Sequence, residues 1–366
     1  MNNSLLIHQI GLTFLQGIGP KKASHLVSKL GSIEAIFCEK LNQIHHLTGI
    51  GKSTLQSMRR EQALQLAEEQ VDYIVKHSIS THFYLDTNYP RRLKQCEDAP
   101  LLLYSKGTFD PNPARVISVV GTRTATEYGK DLCEELIFKI KESNIQVVSG
   151  MAYGIDIFAH QLCVKNTIQT IGVLGHGLDR LYPSVHKRTA EQMFFNGGLI
   201  TEFIPGTRPD RENFPMRNRI VAGMADATIV IESKKSGGSL ITADLANDYN
   251  RDVFAFPGNI GQQFSEGCNG LIQKNKAHML LNGSDFLKQM NWDTEQTKKA
   301  VQRSCFVELT THEQLVCKIL ENSSGEHVDV LSIKTNQSVS SLNVQLFHLE
   351  MKGVVKSLPG KKYVLI

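Results

Sequence analysis

No C-x-x-C pair occurs in this chain, and its seven cysteines, at 38, 96, 133, 163, 268, 305 and 317, are odd in number and scattered. Such spacing offers neither a disulfide framework nor a zinc site, and it fits a reducing compartment. No uninterrupted apolar stretch reaches the ~18 residues that a membrane helix needs. The N-terminal run MNNSLLIHQIGLTFLQGIG has no basic leader. Charge of one sign is scarce too: 40 basic side chains against 36 acidic ones leave +4, so any anion site has to come from local clustering. These absences point to a cytoplasmic protein with no membrane partner. Apolar residues, in contrast, are plentiful at 41% of 366. That is ample for cores, and at ~150 residues per domain the length suggests two or three domains.

Three textures divide the chain. Residues 1–78 read as helices only, with Leu26, Val27 and Leu30, and then Leu64, Ala67 and Val71, at helical spacing. Two short turns, Gly17-Ile18-Gly19-Pro20-Lys21-Lys22 and Gly49-Ile50-Gly51-Lys52-Ser53, each precede a helix. They read either as helix-hairpin-helix units whose free N–H groups suit a phosphate, or as tight connections in a small bundle. Residues 79–291 alternate short apolar strands with helices. The expected strands are Arg115–Val120, Ile145–Ser149, Thr170–Leu174, Gly198–Thr201, Thr228–Glu232 and Asp252–Phe256, with one extra strand within 79–114. This is the pattern of an extended Rossmann-like, doubly wound parallel sheet. A polar linker is expected over 292–306. In 307–366 a capping box at Thr311-x-x-Gln314 should open one helix, Leu342, Leu346 and Leu349 should line another, and a hairpin should turn at Pro359-Gly360. Together these spell a winged helix.

In open parallel sheets, ligands sit beyond the carboxyl ends of the strands. Four Gly-bearing turns fall there: Gly121–Gly129, Ser149–Asp156, Gly175–Asp179 and Ser236–Thr242. Arg123 lies in the first. A dinucleotide site is disfavoured, since G-x-G-x-x-G is absent and Ser149-Gly150 stands where a ribose-binding acid is expected. A P-loop is absent as well; Gly51-Lys52-Ser53 lacks the upstream glycine. The segment Phe214-Pro215-Met216-Arg217-Asn218-Arg219 supplies two guanidiniums, an amide and an exposed aromatic, a kit for phosphate plus base. A salt-bridge network is the other reading, with Arg219 held by a carboxylate such as Glu202. Asp156 and His160, i and i+4 on one helix face with no third ligand, read as an N-cap and a packed histidine. No nucleophile–base–orienter set emerges, so no catalytic residue, metal or cofactor is assigned.

The ordered motifs Val120-Gly121-Thr122-Arg123, Tyr128-Gly129, Ser149-Gly150-Met151-Ala152-Tyr153-Gly154-Ile155-Asp156, Tyr182-Pro183, Phe214–Ile220, Gly238–Ala243 and Phe254–Gly258 strongly resemble the DNA-processing protein A (DprA/Smf) family. The resemblance runs from about Tyr89 to Leu281. It implies a bacterial, cytoplasmic, non-enzymatic protein of natural transformation. Such a protein binds and shields single-stranded DNA, helps load the RecA recombinase, dimerises through the Rossmann-like domain and needs no cofactor. Carried onto this chain, the implied DNA contacts are Gly121, Thr122, Arg123, Gly150, Gly154, Phe214, Arg217, Asn218 and Arg219; Tyr128, Gly238 and Ser239 on the same turns complete the expected set. The chain departs from the family at Tyr153, often basic, at His186, where Asn is usual, and at Ser184, basic in some relatives.

Two other functions compete. A Rossmann-like nucleotide or phosphoribosyl hydrolase would carry P-G-G-x-G-T-x-x-E, but here Gly237-Gly238 is followed by Ser239-Leu240-Ile241 and the Glu position falls nearest Asp244. A regulator reading DNA through its winged helix is weakened by Ser340, Ser341, Asn343 and His348, which give the second helix little positive charge, although Lys356, Lys361 and Lys362 sit on the wing.

Overall fold

Runs of Val, Ile and Gly too short for helices become strands when both faces can be covered, and the six expected strands do so within two residues at each end. The computed structural model describes residues 3–293, 309–321, 323 and 325–365, in two bodies, 1–280 and 281–366. The first begins with α1 (Asn3–Phe14), α2 (Pro20–Leu30), α3 (Ile33–Cys38), α4 (Leu41–Thr48), α5 (Lys52–Ser57) and α6 (Arg60–Lys76). Helix α2 opens on Pro20, where a missing N–H costs nothing, and closes on left-handed Gly31, whose N–H reaches the Val27 carbonyl. Leu26, Ile36, Ile44 and Ala67 are fully buried in this helical core, which continues onto Phe83, Leu102 and Tyr104.

There follow β1 (Ser80–Phe83), α7 (Arg91–Lys94), β2 (Leu102–Thr108), β3 (Arg115–Val120), α8 (Glu127–Ile140), β4 (Ile145–Gly150), α9 (Ile155–Lys165), β5 (Thr170–Val173), α10 (Lys187–Met193), β6 (Gly197–Thr201), α11 (Asn213–Met224), β7 (Ala227–Val230), α12 (Gly238–Asp248), β8 (Asp252–Ala255), α13 (Glu266–Gln273) and β9 (His278–Met279). The strands make one sheet in the order β1-β2-β6-β5-β4-β3-β7-β8-β9. From β6 to β9 every pairing is parallel, while β2 joins β6, and β1 joins β2, antiparallel. The segment 79–114 therefore supplies two strands rather than one, with β1 at the edge of the sheet. Strand β4 is buried at all six positions. Ile117 of β3 pairs with Val147 on one side and Ala227 on the other. The chain leaves β3 toward β4 but leaves β7 toward β8, in opposite directions, so the topological switch point lies between β3 and β7.

The second body holds α14 (Gly283–Gln289), α15 (Thr311–Glu321), β10 (Glu326–His327), α16 (Val328–Thr335), α17 (Val339–Met351), β11 (Val355–Leu358) and β12 (Lys362–Leu365). Three of its helices, α15 to α17, and a small sheet, β10-β12-β11, form the winged helix, with Leu342, Leu346 and Leu349 fully buried. The capping box sits one residue upstream of the expected one. Thr310 N donates to Glu313 Oε2 (2.8 Å) and Glu313 N to Thr310 Oγ1 (3.3 Å). A charged Glu313 wins over Gln314 because Lys352 Nζ also reaches it, at 2.8 Å; that ammonium holds the Glu313 carboxyl below the usual range. Beyond Asp293 the expected linker lies outside the described residues. Among the described residues no helix is long and apolar enough to cross a membrane.

Candidate functional site

At the switch point lies a cleft of about 350 Å³. Three of the four expected turns line it: Gly121 to Thr124 after β3, Gly150, Ala152 and Asp156 around the β4–α9 junction, and Gly237 to Ser239 before α12. Lys234 and the first turns of α11, through Phe214, Arg217 and Asn218, complete the wall. The fourth turn does other work. His176 Nε2 accepts from Tyr182 N (3.2 Å), Gly177 N donates to the Thr207 carbonyl (3.2 Å), and Asp179 Oδ1 accepts from Gly206 N (2.8 Å). It anchors neighbouring loops. A larger hollow of about 480 Å³ near Leu41, Leu55 and Arg60 is a seam of the helical module; Arg60 is spent there on the carbonyls of Ile36 and Glu39.

The turn carrying Arg123 is fastened from several sides. Thr122 N donates to the Glu232 carbonyl (2.8 Å), and the Thr122 carbonyl accepts from Ile155 N (3.1 Å). The Glu232 carboxylate, 3% exposed, accepts from Thr126 N (3.0 Å) and from the Thr126 hydroxyl (2.6 Å). Gly154 caps α9 at φ 78°, ψ −127°, a conformation open essentially to glycine, and a Cβ there would strike the Thr122 carbonyl. Arg123 itself is exposed, with its guanidinium carbon 5.9 Å from the Phe214 ring centre. Phe214 lies inside α11, since the helix begins at Asn213 and places Pro215 in the first turn, where no N–H is needed. The N-caps of α9 and α12 are Gly154 and Gly237, with no side-chain oxygen capping either helix. Their first turns face the cleft with the positive ends of two helix dipoles.

Arg217 forms the floor. It is 5% exposed and donates to the Val173 carbonyl and, through Nε, to Asn218 Oδ1 at 3.2 Å. Asp156 lies beside it: a Cβ on Gly150 would meet both side chains. Asp156 is the second residue of α9 rather than its N-cap. Burial pushes its carboxyl up, against the pull of the Arg217 guanidinium. His160 is a packed histidine, with Nε2 donating to the Gly150 carbonyl (2.8 Å) and Nδ1 facing Thr170 Oγ1 (2.7 Å). Burial takes it down to about 4. Among the described residues no three His, Cys, Asp or Glu side chains gather as a metal set.

Arg219 lies outside the cleft, in an ion pair with Glu202 and a hydrogen bond to the Asp98 carbonyl, its side chain 12% exposed. Of the two sequence readings of this residue, the salt bridge is the one present. Removing its partner strands a buried cation, so Glu202→Ala should lower stability by about 3 kcal/mol in denaturant melts, and Glu202→Gln by less. Tyr128 is also outside the cleft; its hydroxyl donates to the Pro257 carbonyl at 2.7 Å and ties α8 to the loop after β8. Sequence reasoning missed Lys234 and Glu232. The doublet Lys234-Lys235 just before Ser236-Gly237-Gly238 was the available signal for the first; nothing in the sequence marked the second.

Residues 80–291 match the model of DNA recombination-mediator protein A, 10–62 a SAM-like helix-hairpin-helix tandem, and 308–361 the DprA winged helix domain. Protein Smf of Synechocystis is 28% identical over 99% of both chains. DNA processing protein DprA of Streptococcus pneumoniae is 39% identical over 57% of this chain and 73% of its own. The X-ray structure of that pneumococcal protein superposes with a TM-score of 0.61 at 31% identity, covering 74% of this chain and 98% of that one. A structure of the Helicobacter pylori protein, determined for its single-stranded DNA binding mode, gives 0.52 at 27%, covering 57% and 94%.

Proposed function

This chain belongs to the DNA recombination-mediator protein A family, the DprA/Smf proteins, and from that premise we propose that its cleft grips the backbone of single-stranded DNA without breaking it. One observation carries the reading: Arg123, Lys234 and the start of α12, which has no side-chain cap, line a cleft beside the first turn of α9, and its wall includes the Phe214 ring. Backbone N–H groups and guanidiniums take phosphate oxygens whatever the sequence, and a ring stacks only on a base that has left its partner. The contact set is then Gly121, Thr122, Arg123, Gly150, Phe214, Asn218, Lys234, Gly238 and Ser239. Arg217 supplies charge from the floor, while Gly154, Tyr128 and Arg219 position the elements. The binding part is 79–291, with 1–78 and 307–366 as accessory modules. Family membership supports the wider role too: shielding single strands from nucleases, passing them to a RecA-type recombinase, and acting as a dimer.

The test is a mobility-shift titration of the full chain on single- and double-stranded oligonucleotides across salt. Single strands should bind more tightly, with log affinity falling against log salt by about 0.7 per neutralised phosphate. Equal affinity for both forms, or no salt dependence, would refute the proposal. Release of free base from nucleoside monophosphates would restore the hydrolase reading.

A further inference from the structure

Tyr153 and His186, two of the three positions singled out in the sequence as departures from the family resemblance, touch each other. Their rings meet edge to face, with centres 5.0 Å apart and planes at 73°. His186 is 6% exposed, and its Nδ1 donates to the Met151 carbonyl at 2.9 Å. Tyr153 stays 48% exposed. It stands between Ala152, which lines the cleft, and Gly154, which packs against Thr122 and Arg123. A buried, tethered imidazole thus supports an open phenol ring on the residue between cleft-lining Ala152 and Gly154, whose backbone approaches the turn that carries Arg123. Holding a ring this way removes the rotamer freedom that a lone surface tyrosine loses on binding.

We propose that Tyr153 is a stacking platform for the base of a nucleotide adjoining the one whose phosphate occupies the cleft. The inference rests on the single-strand reading above and deepens it: at this position the chain uses base stacking rather than a charge to hold its ligand. Stacking and ion pairing leave different signatures. A phosphate contact contributes to the salt slope, whereas a stacked base contributes affinity at every salt concentration and vanishes when the base is removed.

Fluorescence anisotropy on the full chain separates them, with a mixed-sequence single strand and its abasic counterpart as probes. Tyr153→Leu should weaken binding to the normal strand about tenfold, with the salt slope unchanged. Tyr153→Phe should bind like the parent, and on the abasic strand parent and Tyr153→Leu should be equal. Tyr153→Lys should steepen the slope by about 0.7. Unchanged affinity in Tyr153→Leu, or an equal loss on the abasic strand, would overturn the stacking role. If Arg123→Ala still weakens binding in that case, the cleft reading survives alone; if neither change matters, both fall.

Discussion

Arg123→Ala should weaken binding of the full chain to single-stranded DNA by about 10- to 100-fold, alike for every sequence, the loss expected for one charge-assisted hydrogen bond to phosphate. The slope of log affinity against log salt should become shallower by about 0.7. Arg123 is the exposed guanidinium of the cleft, on a turn held by Glu232 and Ile155 and beside the Phe214 ring. Its removal therefore subtracts charge without loosening the fold, and thermal melting should stay where it was. Arg123→Lys keeps the charge but not the planar fork, so it should recover the slope and part of the affinity. A sequence-dependent loss would mean that Arg123 reads bases instead of gripping backbone.

Gly154→Ala should act through structure. The residue's φ of 78° and ψ of −127° lie where a side chain is strained, and the new Cβ would push into the Thr122 carbonyl. Strain of this kind costs about 1–3 kcal/mol, and the collision adds to it. We expect destabilisation of about 3 kcal/mol in denaturant melts, together with loss of binding, because the displaced turn is the one that aims Arg123. Gly238→Ala is the contrast. A Cβ there meets nothing within 4 Å, so stability should hold, and any loss of affinity would report close approach of the ligand to the start of α12. Equal melting of Gly154→Ala and the parent would contradict the strain assigned to this cap.

The parallel core was legible because its strands are short apolar runs, most of them followed by a glycine-bearing turn and a helical pattern, a signal that survives in a single sequence. The edges were less so. The two-residue strands β9 and β10 are too short to carry a pattern, and β1 and β2 form from segments on either side of the turn-rich stretch around Tyr89-Pro90. The site was readable as a set of turns but not as a geometry. Nothing in the spacing says that Arg217 points down into the protein beside Asp156 while Arg123 stays outside, since that depends on how α9 and α11 pack over Gly150. Arg219 could be foreseen as a partner of Glu202 because one ends a strand region and the other sits on a helix beginning nearby. Glu232 could not, because its role arises only where β7 brings it alongside Thr126, more than a hundred residues away in the chain.

The most direct test of the cleft as a backbone cradle is a crystal structure of the full chain with a short mixed-sequence single strand. The account predicts a phosphate between the Arg123 guanidinium and the first turns of α9 and α12, with an unbroken strand and a base against Phe214. A strand bound elsewhere, with the cleft between β3 and β7 left empty of phosphate, would contradict it.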